Sequence, residues 1–160
     1  MTSGEGAGGQ VSPPVALAFA TVGYIALLIF GLGMLSLFLE QDVIEAPGLG
    51  QVPGITAVVC STAAFALGLW TSVRMPHPSF ISVIWISAAT VLAYLAGLWL
   101  AAVFTGTDLG VAAGVVGRIA TSWFGVTIVA AAAVSSWAGI ALVRTRARRP
   151  EWPWERDEDD

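Results

Sequence analysis

The stretch that decides the fold is VALAFATVGYIALLIFGLGMLSLFL, residues 15–39, which is apolar almost throughout and contains no charged side chain. An uncharged apolar run of about 18 or more residues is typical of a helix that spans a membrane. The whole chain shares this character, since 56% of its 160 residues are hydrophobic and only 11% are charged. Soluble domains carry about 25% charged residues, so the composition predicts an integral membrane protein.

Three more apolar runs follow the first. We predict membrane-spanning helices at residues 15–39, 54–73, 80–104 and 119–143, which form an all-α, four-helix transmembrane bundle. A disordered segment, residues 1–14, precedes the bundle, and a basic and then acidic tail, residues 144–160, follows it. The first run is about 25 residues long and lacks the positively charged region of a secretory signal, so we interpret it as a retained span.

The fourth apolar stretch is longer than one crossing requires and contains Arg118. We expect residues 109–117 to extend the helix beyond the membrane or to lie at the interface. Arg118 then lies near the headgroups, where its long side chain reaches phosphate or water. The alternative is an Arg118 buried deep in the bundle.

The arginines predict the orientation. Arg74 lies between the second and third spans, and four arginines directly follow the fourth span: Arg144, Arg146, Arg148 and Arg149. In a four-span protein these two places are on the same side of the membrane, and positive residues near span ends stay in the cytoplasm. We therefore expect both termini inside and the two acidic connections outside.

Small residues recur at spacings of four in three of the spans, which places them along one side of a helix and allows neighbouring backbones to approach closely. The candidates for helix packing are Cys60, Ala64 and Gly68 in the second span, Ala93 and Gly97 in the third, and Ala131, Ser135 and Gly139 in the fourth. These stripes favour packing within one bundle. The alternative is an interface with a second copy or with another membrane protein.

The residues that membrane catalysts and ion carriers use are missing from the centres of the first three spans, which hold no Asp, Glu, His, Lys or Arg. The single cysteine, Cys60, excludes an intrachain disulfide, and the single histidine, His77, excludes a bis-histidine haem site within the spans. The serines of the spans occur without a base or a nucleophile turn. We expect no cofactor, no metal site and no enzymatic activity.

The tail combines its four arginines with Trp152 and Trp154, each next to a proline. The arginines favour anionic lipid at the membrane edge. The tryptophans either rest among the headgroups or bind a partner protein, and no feature of the chain points to nucleic acid.

The absence of Lys, the Gly-rich and Ser-containing amino terminus and the basic and then acidic tail resemble the small four-span membrane proteins of unknown function from high-GC actinobacteria. The resemblance implies a bacterial plasma membrane location and supplies no functional residues. We expect a structural or accessory component of a membrane complex, whose partners are the lipid bilayer and a membrane protein or a second copy. The alternative is a small transporter or permeation subunit with an uncharged pathway.

Overall fold

The computed structural model describes residues 12–41, 43, 51–75 and 80–144, and all regular structure in these ranges is helical. The helices are α1 (Pro13–Leu39), α2 (Val52–Val73), α3 (Ser82–Phe104), α4 (Leu109–Thr121) and α5 (Trp123–Arg144). Four of them, α1, α2, α3 and α5, are long and apolar enough to cross a membrane. The predicted all-α class with four membrane-spanning helices is thereby confirmed.

The ends of α1 follow from local backbone chemistry. Pro13 and Pro14 occupy its first turn, where a proline forfeits no hydrogen bond. Glu40 ends the helix in the left-handed conformation, with φ of 50°. Residues 1–11 lie outside the described part of the chain.

The long fourth apolar stretch forms two helices, because the chain breaks at Ser122, whose backbone is extended. The last span therefore begins at Trp123, whereas the sequence predicted Ile119. Two hydroxyl groups at the break bond to the preceding turn: Thr121 Oγ1 donates to the carbonyl of Gly117 at 2.8 Å, and Ser122 Oγ donates to that of Ile119 at 3.1 Å. The start of α5 lies close to the end of α4, and this requires glycine at position 125, because a Cβ atom there would lie 2.7 Å from the carbonyl oxygen of Ile119.

The four long helices form a ring in which α2 packs most extensively on α3 and α1 on α5, while α3 also contacts α5 and α1 contacts α2. The short helix α4 packs against α3 and α5. Each long helix buries a row of residues spaced by four: Ala16, Ala20, Tyr24, Leu28 and Leu32 in α1; Ala57, Ser61, Phe65, Leu69 and Val73 in α2; Ile86, Thr90, Tyr94, Leu98 and Ala102 in α3; Phe124, Ile128, Ala132, Ser136 and Ile140 in α5. Such rows form the ridges by which helices interlock.

Large apolar side chains also cover the outside of the bundle. Phe19 and Phe30 of α1, Leu67 of α2, and Ile84 and Leu92 of α3 are each more than 60% exposed. An apolar surface of this extent is typical of a protein that faces lipid rather than water.

Candidate functional site

The centre of the bundle contains a hydrogen-bonded pair that joins α1 to α2. The Tyr24 hydroxyl donates to Ser61 Oγ at 3.0 Å, and Ser61 Oγ donates to the carbonyl of Val58 at 2.9 Å. The Tyr24 ring stacks on Phe65, with centroids 4.7 Å apart and planes 10° from parallel. Tyr24, Ser61 and Phe65 are fully buried. The hydrogen bond to Ser61 therefore satisfies the Tyr24 hydroxyl, which is the only polar group of that side chain.

Other buried hydroxyls bond to their own helices. Thr90 Oγ1 donates to the carbonyl of Ile86 at 2.7 Å, and Ser136 Oγ donates to that of Ala133 at 3.2 Å. Within the described part of the chain, four more buried hydroxyls have no hydrogen-bond partner: those of Thr21, Thr62, Ser87 and Ser135. A hydrogen bond between two helices in a membrane contributes about 1 kcal/mol, and these hydroxyls, which bond within one helix or have no partner, form no such bond.

Bulky side chains fill the space between the helices. The largest fully buried ones are Tyr24, Leu28, Phe65, Leu69, Tyr94, Leu98, Ile119, Ile128 and Ile140. The helices α1, α2 and α3, and α5 up to Val143, hold no carboxylate, imidazole, amine or guanidinium group. Within the described ranges, no cluster of three metal-ligating side chains occurs. The buried side chains of the described interior are therefore apolar or carry a hydroxyl group.

The small residues of α2 and α3 meet where these two helices pack. A Cβ atom placed on Gly97 would lie 3.0 Å from Cβ of Cys60, 3.1 Å from its Sγ and 3.3 Å from Cα of Ala57. One placed on Gly68 would lie 3.3 Å from Cγ1 of Ile86. The structure thus brings Cys60 and Gly97 together. Ala64 and Ala93, of the same stripes, are half-buried.

The small residues of α5 face α1 and α2. A Cβ atom on Gly139 would lie 2.9 Å from Cβ of Ala20 and 2.9 Å from Cδ2 of Leu69. Ser135 is buried, and a Cβ atom on Gly23 would lie 4.0 Å from its Oγ. Ala131 belongs to the main hydrophobic core. All three α5 candidates thus lie inside one bundle.

Among the glycines of the described chain, the one with the least space for a Cβ atom is a residue that the sequence analysis did not single out. A Cβ atom on Gly31 of α1 would lie 2.6 Å from Cγ2 of Thr127 in α5. Gly23 and Gly31 are two steps of four apart, the spacing that identified the other stripes. Leu27 occupies the position between them and concealed the pattern.

The charged residues of the described ranges lie at helix ends. The Arg74 guanidinium, just after α2, is 4.1 Å from the ring centroid of Trp70, within reach of a cation–π interaction. Asp108 caps α4 by accepting the Gly110 N–H at 2.8 Å. Arg144 is the last residue of α5. The remaining tail candidates, Arg146, Arg148, Arg149, Trp152 and Trp154, lie outside the described residues, as does His77.

Comparison with known proteins identifies a family for the chain. The sequence model of a family described as "Family of unknown function (DUF6121)" matches residues 13–160. Neither a curated protein nor a solved structure matches the chain.

Proposed function

We propose that this chain, which belongs to that family of unknown function, is a non-enzymatic integral membrane protein that serves as a structural or accessory component of a membrane complex. The proposal includes a bacterial plasma membrane location with both termini in the cytoplasm. It assigns function to the surface and the tail of the bundle rather than to its interior.

The observation that carries the proposal is the filled centre of the bundle. Tyr24 and Phe65 stack there, and Leu69, Tyr94 and Ile128 are also fully buried. Permeation pathways are lined by polar groups or filled by water, and proton and ion carriers use ionisable residues within the spans. A centre occupied by aromatic and aliphatic side chains favours a structural or accessory role over a transport role.

The hydrogen bonds of the interior hydroxyls favour a protein without enzymatic activity. The Tyr24 and Ser61 pair ends on the backbone carbonyl of Val58, which accepts a hydrogen bond and removes no proton from the serine. A serine nucleophile requires a neighbouring base that is itself oriented by a third group. The pair has the geometry of a structural link between α1 and α2.

The proposed orientation depends on the arginines at the helix ends. Arg74 follows α2 and Arg144 ends α5, and consecutive spanning helices run in opposite directions, so these two residues lie on one side of the bundle. Positive residues at span ends favour the cytoplasmic side. The α3–α4 connection, with Asp108, then faces outward.

Purification in mild detergent tests the proposal. We expect an affinity-tagged chain to retain a membrane protein in a fixed ratio, and we expect the purified chain alone to carry no solute across proteoliposomes. Solute flux by the chain alone would refute the accessory role and would favour the transporter alternative. Recovery of the chain without any partner from its native membrane would also contradict the proposal.

A further inference from the structure

An apolar groove runs along the outside of the bundle where α3 meets α5. Its larger part has a volume of about 560 Å³ and is lined by Val83, Ile84, Val91 and Leu92 of α3 and by Val129 and Ala133 of α5. Ile84 and Leu92 are 68% and 66% exposed, so this part opens toward the surrounding membrane. We call it, together with its continuation, the seam groove.

The seam groove continues toward α4. A second cavity of about 240 Å³ shares Val91 and Val129 with the first and extends to Leu95 of α3 and Ala120 of α4. The continuous groove therefore ends where α4 packs across α3 and α5. From Val83 to Leu95 a helix rises about 18 Å, which is close to half of the ~30 Å hydrocarbon core, the depth of one leaflet.

We propose that the seam groove binds an acyl chain of an anionic phospholipid from the leaflet on the side of the chain termini. This proposal rests on the membrane location in the proposed function and does not depend on the accessory role. The chemistry of the wall selects a hydrocarbon occupant, because its side chains are aliphatic apart from Ser87, whose hydroxyl is buried and inaccessible.

Charge complementarity identifies the headgroup. Because α3 and α5 run in opposite directions, the end of the seam groove at Val83 and Ile84 is the end at which α5 finishes with Arg144. Three more arginines follow in the sequence: Arg146, Arg148 and Arg149. A phosphate at this end of the groove therefore lies on the side of the bundle at which the basic segment begins, and cationic segments next to a span attract anionic lipid.

Two exposed tryptophans near this end of the groove are consistent with a headgroup at the same depth in the membrane. Trp85 directly follows Ile84 and is 73% exposed, and Trp137 lies one helical turn beyond Ala133 and is 57% exposed. Tryptophan is enriched at the boundary between hydrocarbon and headgroups. A membrane-spanning partner helix fits the groove less well, because it would need about 30 Å of continuous surface, whereas the groove ends at α4.

Lipid binding to groove-filled variants tests the proposal. Ala88 lines the seam groove and is exposed, so Ala88→Phe places a ring within the groove without entering the core. The matched control is Ala63→Phe, an exposed alanine of α2 outside the groove. Native mass spectrometry of delipidated protein would be titrated with phosphatidylglycerol and with phosphatidylcholine of the same acyl chains.

We expect the wild-type chain and Ala63→Phe to prefer phosphatidylglycerol. We expect Ala88→Phe to bind it about tenfold more weakly, since the loss of about ten van der Waals contacts with the groove wall is enough for that factor. Replacing Arg148 and Arg149 by Gln should reduce the preference for phosphatidylglycerol while Arg144 and Arg146 maintain the topology. Equal binding of the two lipids by the wild-type chain, or unchanged binding by Ala88→Phe, would overturn the proposal.

A second measurement needs no variant. Phosphatidylglycerol with a photoreactive group midway along its acyl chain, incorporated into vesicles with the wild-type chain, should label peptides that contain Leu92 or Val129. Labels spread evenly over the exposed faces, including Phe19 and Phe30 of α1, would refute a specific groove. If Ala88→Phe changed the oligomeric state but not lipid binding, the occupant would be a second copy and the proposal would be wrong. The flux assay for the proposed function is independent of all these outcomes.

Discussion

Gly31 of α1 and Thr127 of α5 mark the closest approach of two helices among the glycines of the described chain: a Cβ atom on Gly31 would lie 2.6 Å from Cγ2 of Thr127. The threonine cannot easily turn away, because its Oγ1 donates to the carbonyl of Trp123 at 3.0 Å and holds the side chain in place. The contact therefore leaves no room for a larger side chain at position 31.

Gly31→Ala should destabilise the protein by about 1–3 kcal/mol, because the added methyl group forces α1 and α5 apart in a packed interface. Gly33→Ala is the matched control, since a Cβ atom on Gly33 meets nothing within 4 Å. Thermal unfolding in the same detergent measures both. Equal melting temperatures for the two variants would show that the helices do not pack at Gly31.

Substitutions at Tyr24 and Ser61 should have unequal effects. Tyr24→Phe leaves Ser61 bonded to the Val58 carbonyl, so we expect a loss of about 1 kcal/mol or less. Ser61→Ala leaves the buried Tyr24 hydroxyl without its acceptor, which costs about 1–3 kcal/mol. The double variant should resemble Tyr24→Phe, because no unsatisfied hydroxyl remains. Unfolding in detergent tests the order, and additive effects would show that the two side chains are not coupled.

The orientation can be tested in whole cells by cysteine labelling in a Cys60→Ala background. Gly48→Cys, in the connection before α2, should react with a membrane-impermeant thiol reagent from outside, and Ser79→Cys, in the connection before α3, should react only after permeabilisation. Gly106 is a poor site for this test because its φ of 88° disfavours a cysteine. Labelling of Ser79→Cys in intact cells would reverse the proposed topology.

The tail should be required for partner binding and not for insertion. Trp152→Ala combined with Trp154→Ala leaves the arginines and the spans intact, so we expect unchanged abundance in the membrane. We expect loss of a copurifying protein, because exposed tryptophans are frequent anchors of interfaces. Trp123→Ala, which removes an exposed tryptophan at the opposite end of α5, is the control. Retention of every partner by the double variant would restrict these tryptophans to a role at the membrane surface.

The sequence predicted the spans well because hydrophobicity is a local property: each residue contributes its own transfer free energy whatever its neighbours in space. The helices α1, α2 and α3 begin and end within two residues of the predicted bounds. The predicted start of the last span, Ile119, differs from the observed one, because the apolar run continues through Ser122 and hydropathy does not reveal the extended backbone there.

The sequence also supplied small residues at spacings of four, and the structure places Gly97 against Cys60 and Gly139 against Ala20. The predicted stripe of α5 is buried, but that of α2 is not the buried row of its helix. In α2 the predicted stripe contains Cys60, Ala64 and Gly68, whereas the fully buried row lies one residue further along at Ser61, Phe65 and Leu69. The sequence did not predict the seam groove, because its walls come from two helices that are apolar on every side.

The sequence by itself determined that this chain is helical, that it has four segments able to cross a membrane and where its basic residues lie, because each of these properties is carried by consecutive residues. Only the tertiary structure decided which face of each helix is buried, that Tyr24 meets Ser61, that Gly31 meets Thr127 and that α4 closes one end of the seam groove. In water a polar face would mark the outside of each helix. In a membrane-spanning helix lipid makes both faces apolar, so packing alone selects the inner one.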